Sequence, residues 1–376
     1  MTGDRALGWA ALLAGLPGMG PRRLRVLLDA EDPEAAWQRA TAGRVIDLAA
    51  LARPGAPSNE LPSLARAWAA AATGDPEAEA RRHADAGVAI SLLGGPGYPV
   101  PIAADPEPPA VLFAQGAADV LDGPRVGVVG TRRCSSTGAA VARELGRDLA
   151  AAGVAVVSGL ALGVDGAAHA GALAVDGGRP PIGVIGCGHD RPYPPRHRDL
   201  WDSVRERGFL VGECPLGTPP ASWRFPARNR VIAALSDVLV VVESHPSGGS
   251  LLTVQEAIDR GVQVMAVPGS VRNPAAAGTN QLLAEGCHPV RDADDVLVAL
   301  GLEAGGRRGR AVDHRRAPGP GGRDVLRALG WEPASLEQLM VRTGLAVPEL
   351  SLTLHGLELD GWVVQDGPWY EQVPHT

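Results

Sequence analysis

The stretch RFPARNRVIAALSDVLVVVES, Arg224 to Ser244, sets the reading of the whole chain. Its second half, DVLVVVES, is an unbroken run of aliphatic and β-branched residues, the signature of a strand buried on both faces inside a parallel sheet. Its first half places three arginines, a phenylalanine and an asparagine within seven residues. A cluster of fixed positive charge is therefore held against the middle of a core. Arginine forks beside an aromatic ring suit phosphate oxygens and base faces. The same residues also fit a plainer role, with Arg224 and Arg228 solvated at a helix start and Phe225 filling the core. The stretch alone leaves both open.

Outward from it the grammar repeats. RVGVVG from Arg125, VAVVSG from Val154, PIGVIG to Gly186, FLVGE to Glu213 and QVMAVPG to Gly269 are short apolar runs separated by helical segments. Strands alternating with helices predict a doubly wound α/β sheet, in which ligands bind beyond the carboxyl ends of the strands. Small polar residues collect there five times, in GTRRCSSTG (Gly130 to Gly138), SGLALGVDGAAH (Ser158 to His169), GCGHDRPYP (Gly186 to Pro194), ESHPSGGSLLT (Glu243 to Thr253) and PGSVRNPAAAGTNQL (Pro268 to Leu282). Glycines ahead of helices let backbone amides approach an anion. Ser135, Ser136, Ser250, Thr253 and Thr279 serve either as caps or as donors to phosphate. Arg132, Arg224, Arg228, Arg230 and Arg272 supply charge, and Phe225 either stacks or plugs.

Composition removes whole classes of chemistry. All 35 basic residues are arginine, so there is no P-loop lysine, no Schiff base and no pyridoxal phosphate anchor. The first strand is followed by GTRRCSSTG rather than GxGxxG, which argues against a nicotinamide dehydrogenase. Net charge is −7, so any nucleic-acid contact must rest on locally concentrated arginine. Cys134, Cys187, Cys214 and Cys287 lack paired spacing, and reduced thiols with no metal are expected. No cofactor is expected either. No leader-like or membrane-length apolar run is visible, which predicts a soluble cytoplasmic protein that meets no membrane.

Two groups of ionisable residues invite catalytic readings. Asp165 and His169 stand four apart on one helical face, the spacing of an acid/base pair, although such pairs more often position a loop. Glu213 and Glu243, expected to end adjacent strands, are the carboxylates that a Rossmann-type hydrolase acting on nucleoside monophosphates would use. No PGGxGTxxE-type signature accompanies them.

Four regions are expected. Residues 1–75 read as a helical domain with a helix-hairpin-helix-like turn, GLPGMGPRRLRVLLD, in which Pro21 starts a helix and Arg22, Arg23 and Arg25 follow. Such a turn can offer N–H groups to phosphate, but the balanced charge of this region favours packing. Residues 85–303 hold the α/β domain, entered through a Pro- and Gly-rich passage from Leu92 to Pro109. Residues 304–322, including RRGRAVDHRRAPGPGG, read as a linker. Residues 323–376 show three helices and a hairpin turning at Asp366 and Gly367, a winged-helix pattern. With three arginines against eight acids from Arg323 onward, this region is predicted to contact protein rather than duplex DNA.

The strand-end motifs, in this order from about Val88 to Leu300, resemble the DNA-processing protein A family, also called DprA or Smf, and FPARNR is the most specific of them. The resemblance implies an extended Rossmann-type core that pairs into a homodimer. It also implies binding and protection of single-stranded DNA and loading of a RecA-type recombinase in natural transformation, without catalysis. Carried over by motif, the nucleic-acid pocket is Gly130, Thr131, Arg132, Ser158, Gly159, Arg224, Phe225, Arg228, Asn229, Arg230, Gly249, Ser250, Gly278, Thr279 and Asn280. Two departures stand out. Gly248, Gly249 and Ser250 replace the family's usual Ser-Gly-Ser, and Ser222 and Ser247 stand about where some relatives carry lysine.

Overall fold

The strand read at Val238–Val241 lies in the interior of a nine-stranded sheet. The computed structural model describes residues 3–42, 60–302 and 315–373. The chain opens with helices α1 (Gly3–Ala14), α2 (Pro21–Ala30), α3 (Pro33–Thr41), α4 (Glu60–Ala70) and α5 (Pro76–Asp85). Strands β1 (Ala89–Leu92) and β2 (Val111–Gly116) flank the short α6 (Val100–Ala103). The alternating part runs β3 (Arg125–Val129), α7 (Ser136–Ala151), β4 (Ala155–Ser158), α8 (Val164–Leu173), β5 (Ile182–Ile185), α9 (Arg198–Arg207) and β6 (Phe209–Gly212). It continues α10 (Arg224–Ala234), β7 (Val238–Val241), α11 (Ser250–Asp259), β8 (Gln263–Ala266), α12 (Ala277–Ala284), β9 (His288–Pro289) and α13 (Ala293–Ala299).

The order across the sheet is β1-β2-β6-β5-β4-β3-β7-β8-β9. From β6 to β9 all neighbours are parallel, while β1 and β2 extend the β6 edge in antiparallel fashion. The doubly wound reading therefore holds, and the strand order reverses between β3 and β7, the switch point where such sheets take ligands. One expectation is corrected here. Glu213 and Glu243 follow β6 and β7, which β5, β4 and β3 separate, so consecutive strands in the chain are not neighbours in space.

Two cores cover the faces of the sheet. Leu239 and Val241 face Ile232, Val254 and Ala257 of α10 and α11 on one side. Val238 and Val240 face α7 and α8 on the other. The N-terminal helices build a third core with Val111, Phe113 and Leu216. Strand β2 and helix α5 escaped the sequence reading. VLFAQG lacks alternation because its first residues are covered on both faces, Leu112 by the sheet's core and Val111 and Phe113 by the N-terminal helices, and α5 occupies most of the gap left between the first two expected domains. His83 of α5 ties that module to the sheet: its Nδ1–H donates to Glu79 O (3.0 Å) and its Nε2 accepts from Leu216 N (3.0 Å).

The C-terminal elements α14 (Pro320–Leu329), β10 (Ala334–Ser335), α15 (Leu336–Thr343), α16 (Val347–Leu359), β11 (Val363–Asp366) and β12 (Trp369–Gln372) form three helices and a three-stranded sheet, β10-β12-β11. They share a separate apolar core of Val325, Leu329, Leu339, Leu350, Leu354 and Val363. Residues 304–314 of the expected linker lie outside the described residues. Among the described residues, no helix is long and apolar enough to cross a membrane.

Glycine inside a helix costs stability unless close packing requires it, and α7 against α8 requires it twice. A Cβ on Gly146 would lie 2.1 Å from Ala168 O, and one on Gly171 would lie 2.0 Å from Arg143 O. Gly146→Val is expected to lower stability by about 3 kcal/mol in a urea titration, as overpacking of a fixed contact does. An unchanged midpoint would mean that the two helices separate freely.

Candidate nucleic-acid interface

Helix α10 explains why its arginines part ways. Arg228 falls on the same helical stripe as Val231, Ile232 and Leu235, the face buried against the sheet. Its side chain runs inward, only 6% exposed, and donates from Nη1 to Val184 O (2.5 Å). Gly159 makes room for it, since a Cβ there would sit 2.0 Å from that nitrogen. Arg230 turns the other way and donates to Glu213 Oε1 (2.5 Å) and Glu107 O (2.9 Å). Burial pushes the Glu213 carboxyl upward, and the Arg230 guanidinium opposes that rise. Arg224 donates to Pro219 O at 2.8 Å. Arg132 remains exposed, with its guanidinium carbon 5.3 Å from the Phe225 ring centre.

Phe225 is half-buried and stacks on Tyr193 at 5.2 Å between ring centres. It therefore lies at the surface of the loop cluster rather than filling the core. Tyr193 was missed in the sequence, where the only signal is an aromatic in a strand-end loop of a chain with 4% aromatic residues.

The loops beside this stack are fastened by Glu243. Its carboxylate accepts from Ser135 N (2.8 Å), Ser135 Oγ (2.7 Å) and Asn273 Nδ2 (3.1 Å). Its carbonyl accepts from Thr131 N at 2.7 Å. Gly130 and Gly138 lack side chains where Cβ atoms would strike Val164 and the Glu243 carboxylate, at 2.5 and 2.4 Å. Ser135 caps α7 by accepting from Gly138 N. Ser136, beside it, donates to Glu371 of β12, so the hairpin of the C-terminal module places a carboxylate at this helix end.

Several expected ligand contacts are committed to the protein itself. The hydroxyls of Ser158 and Thr279, both fully buried, donate to Val128 O (2.6 Å) and Ala276 O (3.0 Å). Ser250 donates to Ser244 Oγ at 2.8 Å. Gly278 N donates to Ser244 O (2.7 Å), and Asn280 clamps both backbone groups of Gly269. These residues shape the loops. Gly249, exposed at the start of α11, and the partly exposed Asn229 and Thr131 remain on the surface of the cluster.

Asp165 and His169 do not form an acid/base pair. Asp165 accepts from Gly159 N (3.1 Å), and His169 donates from Nε2 to Ile182 O (3.1 Å). Burial raises the Asp165 carboxyl, against the pull of Arg228. Burial pushes the His169 and His189 imidazoles down to about 4.

Comparison with known proteins places this geometry. Residues 90–301 match the family model for DNA recombination-mediator protein A, and residues 313–367 match the DprA winged helix domain. The DNA processing protein DprA of Bacillus subtilis is 38% identical over 204 residues, covering 54% of this chain and 68% of that protein. Protein Smf of Escherichia coli is 36% identical over 275 residues, 71% of this chain and 72% of its own. The Streptococcus pneumoniae DprA structure superimposes with a TM-score of 0.60 at 28% identity, covering 79% of this chain and 98% of that one. The Helicobacter pylori DNA processing protein A, solved in work on its unique single-stranded DNA binding mode, superimposes at 0.51 with 27% identity, over 57% of this chain and 95% of that one.

Beneath this site, His169 yields a pH signature. Its Nδ1 is buried without a partner among the described residues, so the folded state favours the neutral ring. The unfolded chain binds that proton near pH 6.5 and the folded chain only near 4, so stability falls as pH drops through this window. Relative to His169→Gln, the wild-type protein is expected to lose about 1.4 kcal/mol per pH unit between 6.5 and 4.5, read as a denaturant midpoint. A gap that does not change with pH would show that His169 binds its proton in the fold as readily as in the unfolded chain.

Proposed function

Because the chain belongs to the DNA recombination-mediator protein A family, we propose that it binds single-stranded DNA along the carboxyl edge of its sheet and delivers it to a RecA-type recombinase in natural transformation. The observation that carries this reading is the stack of Arg132 on Phe225 beside Tyr193, an exposed guanidinium and two rings next to a glycine-lined helix start. A base in a single strand offers its face to such a platform, whereas a paired base does not. The neighbouring phosphate is drawn by the exposed Arg132 guanidinium, since the start of α7 already faces the carboxylates of Glu243 and Glu371. Stacking and phosphate contacts carry little sequence information, so selectivity is weak.

The protein acts as a binder rather than a hydrolase. Glu213 is neutralised by Arg230, and Glu243 is occupied by three donors, which leaves neither placed as a general acid or base. It works in the cytoplasm as a homodimer. Its acidic C-terminal module meets protein rather than duplex, since helix α16 bears Glu349 and Glu358 and lacks lysine and arginine.

Titration of single- and double-stranded oligonucleotides at two salt concentrations tests the reading. The single strand is expected to bind more tightly. Arg132→Ala should weaken it about tenfold and reduce the salt slope by about one. Phe225→Ala should weaken binding with the slope unchanged. Preference for the duplex, or wild-type affinity in both variants, would overturn the assignment.

A further inference from the structure

Trp223 closes the loop after β6 and directly precedes α10. Its indole is 44% exposed, and the Arg224 guanidinium carbon lies 4.7 Å from its ring centre. That guanidinium is held in place by its bond to Pro219 O. Beside the ring stands the turn between α1 and α2, where a Cβ on Gly20 would lie 3.6 Å from the indole edge. Met19, Gly20, Trp223, Arg224 and Arg228 line one cleft between this turn and the ends of β5 and β6. Arg228 Nε, in a side chain more than nine-tenths buried, has no partner among the described residues. A buried N–H of a guanidinium left unbonded is costly unless something else accepts from it.

The start of α10 therefore carries two aromatic–arginine pairs, Arg224 with Trp223 and Arg132 with Phe225, on ring residues two positions apart. The second pair is the platform already described. The first belongs to no apolar core cluster of the fold and presents the same chemistry at the next position along the helix start.

We propose that Trp223 and Arg224 form a second base platform, which takes the nucleobase next to the one held at Arg132, Phe225 and Tyr193. This rests on the reading of the chain as a binder of single-stranded DNA. The indole supplies the stacking face that Arg224 leaves uncovered, and Arg224, planar and fixed on the ring, pairs with the phosphate of that base. Gly20 keeps the outer wall of the cleft free of side chain. The N-terminal module then bounds the strand's path, with Arg23 and Arg25 tied to the protein rather than to phosphate. Arg23 is engaged by Glu60 and Gly18 O, and Arg25 by Asp29 and Pro108 O.

The test uses the full-length protein and labelled single strands of about 12 nucleotides carrying 5-iodouracil, within the range of site sizes of known single-strand-binding domains. Ultraviolet cross-linking is expected to attach DNA to the peptide containing Trp223. Trp223→Ala should weaken binding about tenfold with an unchanged salt slope, while Trp223→Phe keeps most of the affinity. Wild-type affinity in Trp223→Ala, or equal losses in the Ala and Phe variants, would overturn the second platform and leave the first intact. Failure of the wild-type protein to bind single strands at all would overturn the reading beneath both.

Discussion

One carboxylate holds the site together. Glu243 leaves β7 at the point where the strand order reverses, and it accepts hydrogen bonds from the start of α7 and from the loop after β8. Three loops that are far apart in the chain thereby share one anchor. The geometry tolerates no side chain at Gly138, which faces that carboxylate, or at Gly130, which faces Val164 and the Glu243 backbone. These two glycines serve close approach of protein to protein. The amide of Gly138 is itself taken by Ser135 Oγ, so the start of α7 is tied to the protein on both counts.

Depth sorts the arginines around this anchor into different roles. Arg228 is buried under Gly159 and braces Val184 of the neighbouring strand, and Arg230 is neutralised by Glu213. Their charges are fixed parts of the scaffold. Arg132 and Arg224 keep their guanidinium groups on aromatic rings at the surface, where a desolvation cost is small and a ligand can reach them. The arginines of FPARNR and the residue before it thus split between two braces, Arg228 and Arg230, and one guanidinium at the surface, Arg224, because successive helical positions face in different directions.

Much of this was legible beforehand. The unbroken aliphatic runs of β3, β4, β5 and β7 announce strands covered on both faces, and the glycine and hydroxyl clusters after them mark one edge of the sheet. Arg228 could also have been placed, since it lies on the apolar stripe of its helix with Val231, Ile232 and Leu235. Strand β2 was not legible, because only its first three residues, Val111 to Phe113, are buried, too short a run to stand out after the Pro-rich passage before it. Tyr193 and Trp223 stayed hidden for another reason. Nothing local distinguishes a loop aromatic that packs inward from one that lies open.

By itself, the sequence determined the class of fold, the edge of the sheet on which the glycine and hydroxyl loops collect, the winged-helix pattern of the tail and the absence of lysine chemistry. These follow from periodicity and composition, which are local properties of the chain. The tertiary structure alone decided that Glu213 and Glu243 stand four strands apart, that the hydroxyls of Ser158 and Thr279 are turned inward, and that Phe225 and Trp223 each carry a guanidinium. Those facts depend on strand order and on the depth of each side chain, and both are set by contacts between segments distant in sequence.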